Sequence, residues 1–207
     1  MSVDTKDTSL ETLQEIRTIM ERSARFLSLS GWSGIWAGCV ALGGAVIAHY
    51  WLLQFRIHQS FRLDETRIKF IFLGIVIFIA ALMGGFFFTA QKVRQQGHTL
   101  WNNASRQLLF QIIVPLATGG VFVLAFISNA NDQYIAPACL VFYGLALING
   151  SKYTLSDIRY LGYLEVLLGC INLFFAKYGL YFWAMGFGIL HILYGVIMWN
   201  KYDRHTA

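Results

Sequence analysis

ERSARFLSLSGWSGIWAGCVALGGAVIA, residues 21–48, begins as the end of a charged amphipathic helix and becomes apolar without a break. Small residues recur along it at Ser30, Gly34, Ala37, Ala41, Gly44 and Ala48, in alternating steps of four and three. On a helix this spacing makes one shallow groove, and in lipid such grooves are where other helices dock, because the backbones can approach closely. A second small face, Gly31, Gly38 and Ala45, runs beside the first. The stretch predicts a first membrane span that packs tightly on a neighbour.

The rest of the composition agrees. The chain has 207 residues, of which 57% are hydrophobic and 13% charged, with a mean hydropathy of +0.54. A soluble domain carries roughly 25% charged residues. A soluble chain of this length has too little interior for so much apolar surface, so the class is integral membrane, with the lipid bilayer as its first partner. The net charge of +5 gathers at helix ends, which suits topology signals and not a nucleic-acid surface. Cys39, Cys139 and Cys170 lie inside apolar segments, against a disulfide framework. The first apolar run starts near residue 30, after a helix of mixed charge, and is long enough to span, unlike a cleavable signal peptide.

Three parts follow along the chain. Residues 1–30 read as a cytoplasmic amphipathic helix, with Thr8-x-x-Glu11 as its capping box. Leu10, Leu13, Ile16, Met20, Ala24 and Leu27 share one face, opposite Glu11, Glu15, Glu21, Arg22 and Arg25. Such a helix steadies a bundle at the membrane surface or docks a protein partner. Residues 31–200 hold six apolar segments, near 32–54, 68–90, 108–128, 134–150, 156–176 and 178–200, and residues 201–207 form a cytoplasmic tail. Lys and Arg number eleven on the side of both termini and five on the other. The predicted fold is therefore all-α: six transmembrane helices preceded by an amphipathic helix, both termini cytoplasmic. Laying residues 31–45 over 162–176 gives five identities, including Gly31 with Gly162 and Gly38 with Gly169, the pattern of a parallel internal repeat.

One charged residue lies in the middle of a span. Glu165 belongs to a stripe with Gly162, Gly169, Asn172 and Ala176, and the last span has a matching stripe of Ala184, Gly188, His191 and Gly195. Charges at that depth are expensive and are functional suspects. The turn between these spans falls near Tyr178, with Glu165 as far before it as His191 is after it. At 1.5 Å per residue both lie ~20 Å below the turn. Antiparallel neighbours with small-residue grooves can then bring Glu165 to His191, with Asn172 and Tyr194 a turn or two away. The pair is either a titrating site or an interhelical hydrogen bond that fixes register. Gly31, Gly34, Gly38, Gly162, Gly169, Gly188 and Gly195 are read as helix-packing positions.

Other chemistry is poorly served. Gly31-Trp32-Ser33-Gly34 spells the GxSG of rhomboid proteases, but it opens the first span, far in depth from His191, so Ser33 is better read as packing and no catalytic residue is assigned. The histidines show neither HxxH nor HExxH spacing, and His49 and His191 are not level, so neither a metal nor a haem cofactor is expected.

The run LQEIRTIMERSARFLSLSGWSGIWAG, within residues 12–40, resembles the opening of a group of small bacterial six-helix membrane proteins that share an IR-x-(M/I)-M-E-R-S-x-R-F-x-S-L-S-G stretch before the first span. The resemblance implies a bacterial inner-membrane protein and implies no activity. Prokaryotic lysosomal-type potassium channels open with R-x-x-x-F-S-D; here Arg22-Ser23-Ala24-Arg25-Phe26-Leu27-Ser28 lacks the aspartate.

The functional expectation is a small transporter- or channel-like protein with a mid-membrane Glu/His site. The alternative is a non-transporting regulator, sensor or assembly partner acting through the N-terminal helix; an intramembrane enzyme is more distant. A homo-oligomer is expected, because the first span has two small faces and needs only one within the protomer.

Overall fold

The computed structural model describes residues 29–58, 63–96, 101 and 103–204. The expected amphipathic helix and its capping box lie outside these residues, as does the end of the tail.

Six helical rods follow one another, and no strand occurs among the described residues. They are α1 (Gly31–His58), α2 (Leu63–Gln95), α3 (Asn103–Ser128), α4 (Ile135–Gly150) and α5 (Ile158–Phe174), then a last rod, α6. This last rod runs through four pieces: α-helical Gly179–Trp183, π-helical Ala184–Leu190, α-helical His191–Met198 and π-helical Trp199–Asp203. Short 3₁₀ turns, Asp132–Tyr134 and Ala176–Tyr178, lead into α4 and α6. Pro137 falls in the first turn of α4, where its missing N–H costs nothing, and Pro115 lies inside α3. Five helices are long and apolar enough to cross a bilayer. The other, α5, has 17 residues and carries Glu165 near its middle.

The side chains agree with that class. On α2, Phe72, Phe78, Leu82, Met83 and Phe86 are all more than half exposed, and Phe110, Val121 and Leu124 are likewise exposed on α3. A water-soluble surface does not carry so continuous an apolar cover.

Two close helix pairs build the bundle. Between α4 and α5, a Cβ on Gly144 would lie 2.6 Å from the Gly162 carbonyl oxygen, and one on Gly162 would lie 2.7 Å from the Gly144 oxygen. Further along, a Cβ on Gly169 would lie 2.6 Å from Val141. Between α1 and α6, Gly38 faces the Gly188 oxygen (2.6 Å from its would-be Cβ) and Gly195 faces the Gly31 oxygen (2.8 Å). Gly34 lies over Gly195 in the same seam. Outside these pairs α2 packs along α1 and α3 along α4. Ser30, Gly31, Gly38, Ala41 and Ala45 are all buried in the single chain, so both small faces of α1 are used within the protomer.

Polar clamps close both ends. At one end, Lys92 of α2 pairs with Asp203 of α6 at 2.6 Å, and Asp203 accepts the Gly31 N–H at 2.9 Å. Nearby, Asp157 accepts from Lys201 Nζ at 2.7 Å and from the Tyr202 hydroxyl at 2.9 Å. At the other end, Arg67 of α2 pairs with Asp132 at 2.9 Å and also donates to the Ile127 carbonyl.

Overpacking a tight contact costs about 1–3 kcal/mol. Gly162→Ala should lower stability by that order in detergent unfolding, while Gly43→Ala, where a Cβ meets nothing within 4 Å, should not. A second prediction concerns acid. The hydrogen bond from Lys201, joined by that from Tyr202, holds the Asp157 carboxyl below the usual carboxylate range. A carboxyl whose pKa is lower folded than unfolded adds stability above its unfolded value, about 3.9, and loses it as the pH falls through the folded value. The stability gap between wild type and Asp157→Asn, followed by thermal melts, should close as the pH drops below about 4.

Candidate functional site

Glu165 is the eighth residue of α5, ~10 Å from one end and ~14 Å from the other at 1.5 Å per residue. The Gly162 and Gly169 contacts press this helix onto α4, and the carboxyl is carried into the space between α4, α5 and α6. There it is 0% exposed. Gly186 of α6 makes the space: a Cβ at that position would lie 2.5 Å from Glu165 Oε2 and 2.5 Å from Leu140 Cδ2.

His191 meets it. Its Nδ1 is 3.4 Å from Glu165 Oε1, as the depth argument expects, and 3.0 Å from the Gly186 carbonyl oxygen. Its Nε2 is 2.7 Å from the Tyr143 hydroxyl. These contacts assign the proton of the neutral ring. A carbonyl only accepts, so Nδ1 carries the hydrogen and donates to Gly186; Nε2 is then the acceptor, and the Tyr143 O–H donates to it. The imidazole has both nitrogens satisfied. Phe187 stacks on the ring with centroids 5.9 Å apart and an interplanar angle of 23°, and Tyr143 packs on Phe187 at 5.1 Å.

The carboxyl is treated differently. Neither oxygen of Glu165 has a hydrogen-bond partner among the described residues. Buried polar groups are nearly always partnered, so such a group asks for an explanation beyond packing. The Nδ1–H of His191 lies close to it, at 3.4 Å between the heavy atoms. With one proton between them the pair has two arrangements: carboxylic acid beside neutral imidazole, or carboxylate beside imidazolium. In the second, Nδ1–H faces an anion, and the Tyr143 oxygen turns from donor to acceptor. Because Nδ1 already carries its hydrogen, the added proton of the imidazolium sits on Nε2 beside Tyr143, so the two arrangements do not interconvert by a direct hop across the 3.4 Å gap.

The other expected members separate. Asn172 is 0% exposed, but it lies two turns along α5 from Glu165. Its amide donates to the Phe175 carbonyl at 3.1 Å, and its Oδ1 has no hydrogen-bond partner among the described residues. Tyr194 faces the charged end of the bundle, near Asp157 and Tyr160, and does not join the Glu165 group. Of the packing glycines, Gly31, Gly34, Gly38, Gly188 and Gly195 sit in the α1–α6 seam and Gly162 and Gly169 in the α4–α5 seam. Sequence reading missed Tyr143, Gly186 and Phe187. Phe187 is four residues before His191, a signal present in the sequence; Tyr143 comes from a span whose register against α6 no pattern reveals.

The described residues contain no group of three or more His, Cys, Asp or Glu side chains able to hold a metal. Comparison with protein families, with characterised proteins and with solved structures gives no match.

Tyr143→Phe removes the donor to Nε2 and leaves the ring volume in place. Nitrogen NMR of His191 should show a single Nδ1–H tautomer in the wild-type neutral ring and a mixture of tautomers in the variant.

Proposed function

We propose that this chain is a small multi-pass membrane protein, transporter- or channel-like, that works through the titrating Glu165–His191 pair at mid-membrane. The observation that carries the reading is the geometry of the pair. A fully buried carboxyl with no hydrogen-bond donor on either oxygen among the described residues lies 3.4 Å from an imidazole nitrogen whose hydrogen has a resting acceptor elsewhere. A pair serving only to fix register would be expected to satisfy the carboxyl. The π-helical turn that ends beside His191 supports the same reading, because such turns within helices are frequent at functional sites. In this proposal all six rods span, α5 included, and the charge bias of eleven against five supports cytoplasmic termini. The opening resemblance supports a bacterial inner membrane.

A second reading has its own support. Glu165 is sealed from outside by Leu140 and the backbone at Gly186, which suits a regulator or sensor that holds a proton and conducts nothing. Flux separates the two. In proteoliposomes between pH 5 and 8, wild type should move protons or a small cation in a pH-dependent way, and Glu165→Gln should lose at least ~90% of that flux while eluting as the same species. Absence of flux in both proteins would favour the regulator.

A further inference from the structure

The described chain begins at Leu29, and this residue occupies an unusual place. On one side it packs against Val93 of α2 and Ala104 of α3, with Leu108 beside them. On the other it packs against Leu155, Ile158 of α5 and Met198 of α6, with Leu147 of α4 and Tyr202. One side chain thus joins two separate apolar clusters drawn from five helices, all at the Asp203 end.

Its backbone is fastened as well. The Leu29 carbonyl accepts from Lys92 Nζ at 2.8 Å, and the same ammonium pairs with Asp203 at 2.6 Å. Asp203 turns its second oxygen to the Gly31 N–H at 2.9 Å and the Ser30 hydroxyl at 3.4 Å. Three consecutive residues are therefore held by a lysine and a carboxylate that are only 11% and 12% exposed. A nearly buried ion pair is strongly directional: removing either partner leaves the other charge uncompensated.

We propose that Leu29 is a plug closing the Asp203 end of the helix bundle, and that Lys92–Asp203 is the latch that holds it. The latch grips the chain on both sides of Ser30, by the carbonyl before it and the N–H after it. Breaking the ion pair therefore frees the plug residue and touches the α1–α6 seam only at its end, at Gly31. The inference stands whether or not Glu165 carries protons.

The test reads access, not transport. With Cys39, Cys139 and Cys170 replaced by alanine, a thiol is placed at Leu29 (Leu29→Cys), and its maleimide labelling is timed in proteoliposomes. Ser156→Cys, exposed at the same end, and Ala146→Cys, buried in α4, are the fast and slow references. Leu29→Cys should label at least tenfold more slowly than Ser156→Cys. Adding Asp203→Asn, or separately Lys92→Met, should raise its rate at least tenfold and leave Ala146→Cys slow. Fast labelling of Leu29→Cys with the latch intact, or no acceleration by either latch variant, overturns the proposal. Acceleration of Ala146→Cys together with Leu29→Cys also overturns it, since the pair would then be holding the whole bundle.

Discussion

The carbonyl oxygens of Gly144 and Gly162 each occupy space that a Cβ on the other residue would need. That mutual contact, between two bare backbones, sets the distance of α5 from α4. With α5 drawn in, Glu165 enters the space between α4 and α6 and does not face outward. The same constraint acts across the bundle, where Gly31, Gly38, Gly188 and Gly195 draw α6 onto α1 and fix the height of His191. In lipid there is little hydrophobic gain from pressing apolar helices together, so close contact between backbones has to supply the specificity. The Glu165–His191 distance depends on both seams.

Much of this was legible. Span positions follow from apolar runs, and the helix-packing faces follow from small residues at steps of three and four. The Glu165–His191 approach follows from equal spacing on either side of a tight turn, because two antiparallel helices with equal rise meet level. Tyr143 escaped because its height depends on how α4 is offset against α6, and that offset comes from a glycine contact made through α5. The π-helical stretch at Ala184–Leu190 escaped for another reason: a widened turn has no distinctive residue pattern, and its composition, AMGFGIL, suits an ordinary helix equally well. Tyr194 was placed with the site on distance along the helix alone, yet three residues past His191 it faces the charged end.

The clamps at the two ends answer to a different physics. Where helices emerge from an apolar environment, charged side chains regain access to polar surroundings, and pairs such as Arg67–Asp132 and Lys201–Asp157 tie neighbouring elements at small cost. Lys92–Asp203 is drier and holds more, because it also satisfies the backbone where α1 begins. Lys92 and Lys201, counted for orientation, thus also tie chain segments together at that end.

The partners in that lock lie far apart along the chain, Gly31 and Asp203 being separated by 172 positions. This carries a consequence for biosynthesis. A ribosome delivers α1 and α2 long before α6, so for most of translation the Gly31–Gly38 groove lacks its helix and Lys92 lacks its carboxylate. Contacts that close so large a loop form late. Until Asp203 emerges, the nascent protein displays an unfilled groove and an unpaired cation side by side, and a truncated product would display them permanently. The α6 rod thus covers a groove and pairs a cation that stay open until it is made.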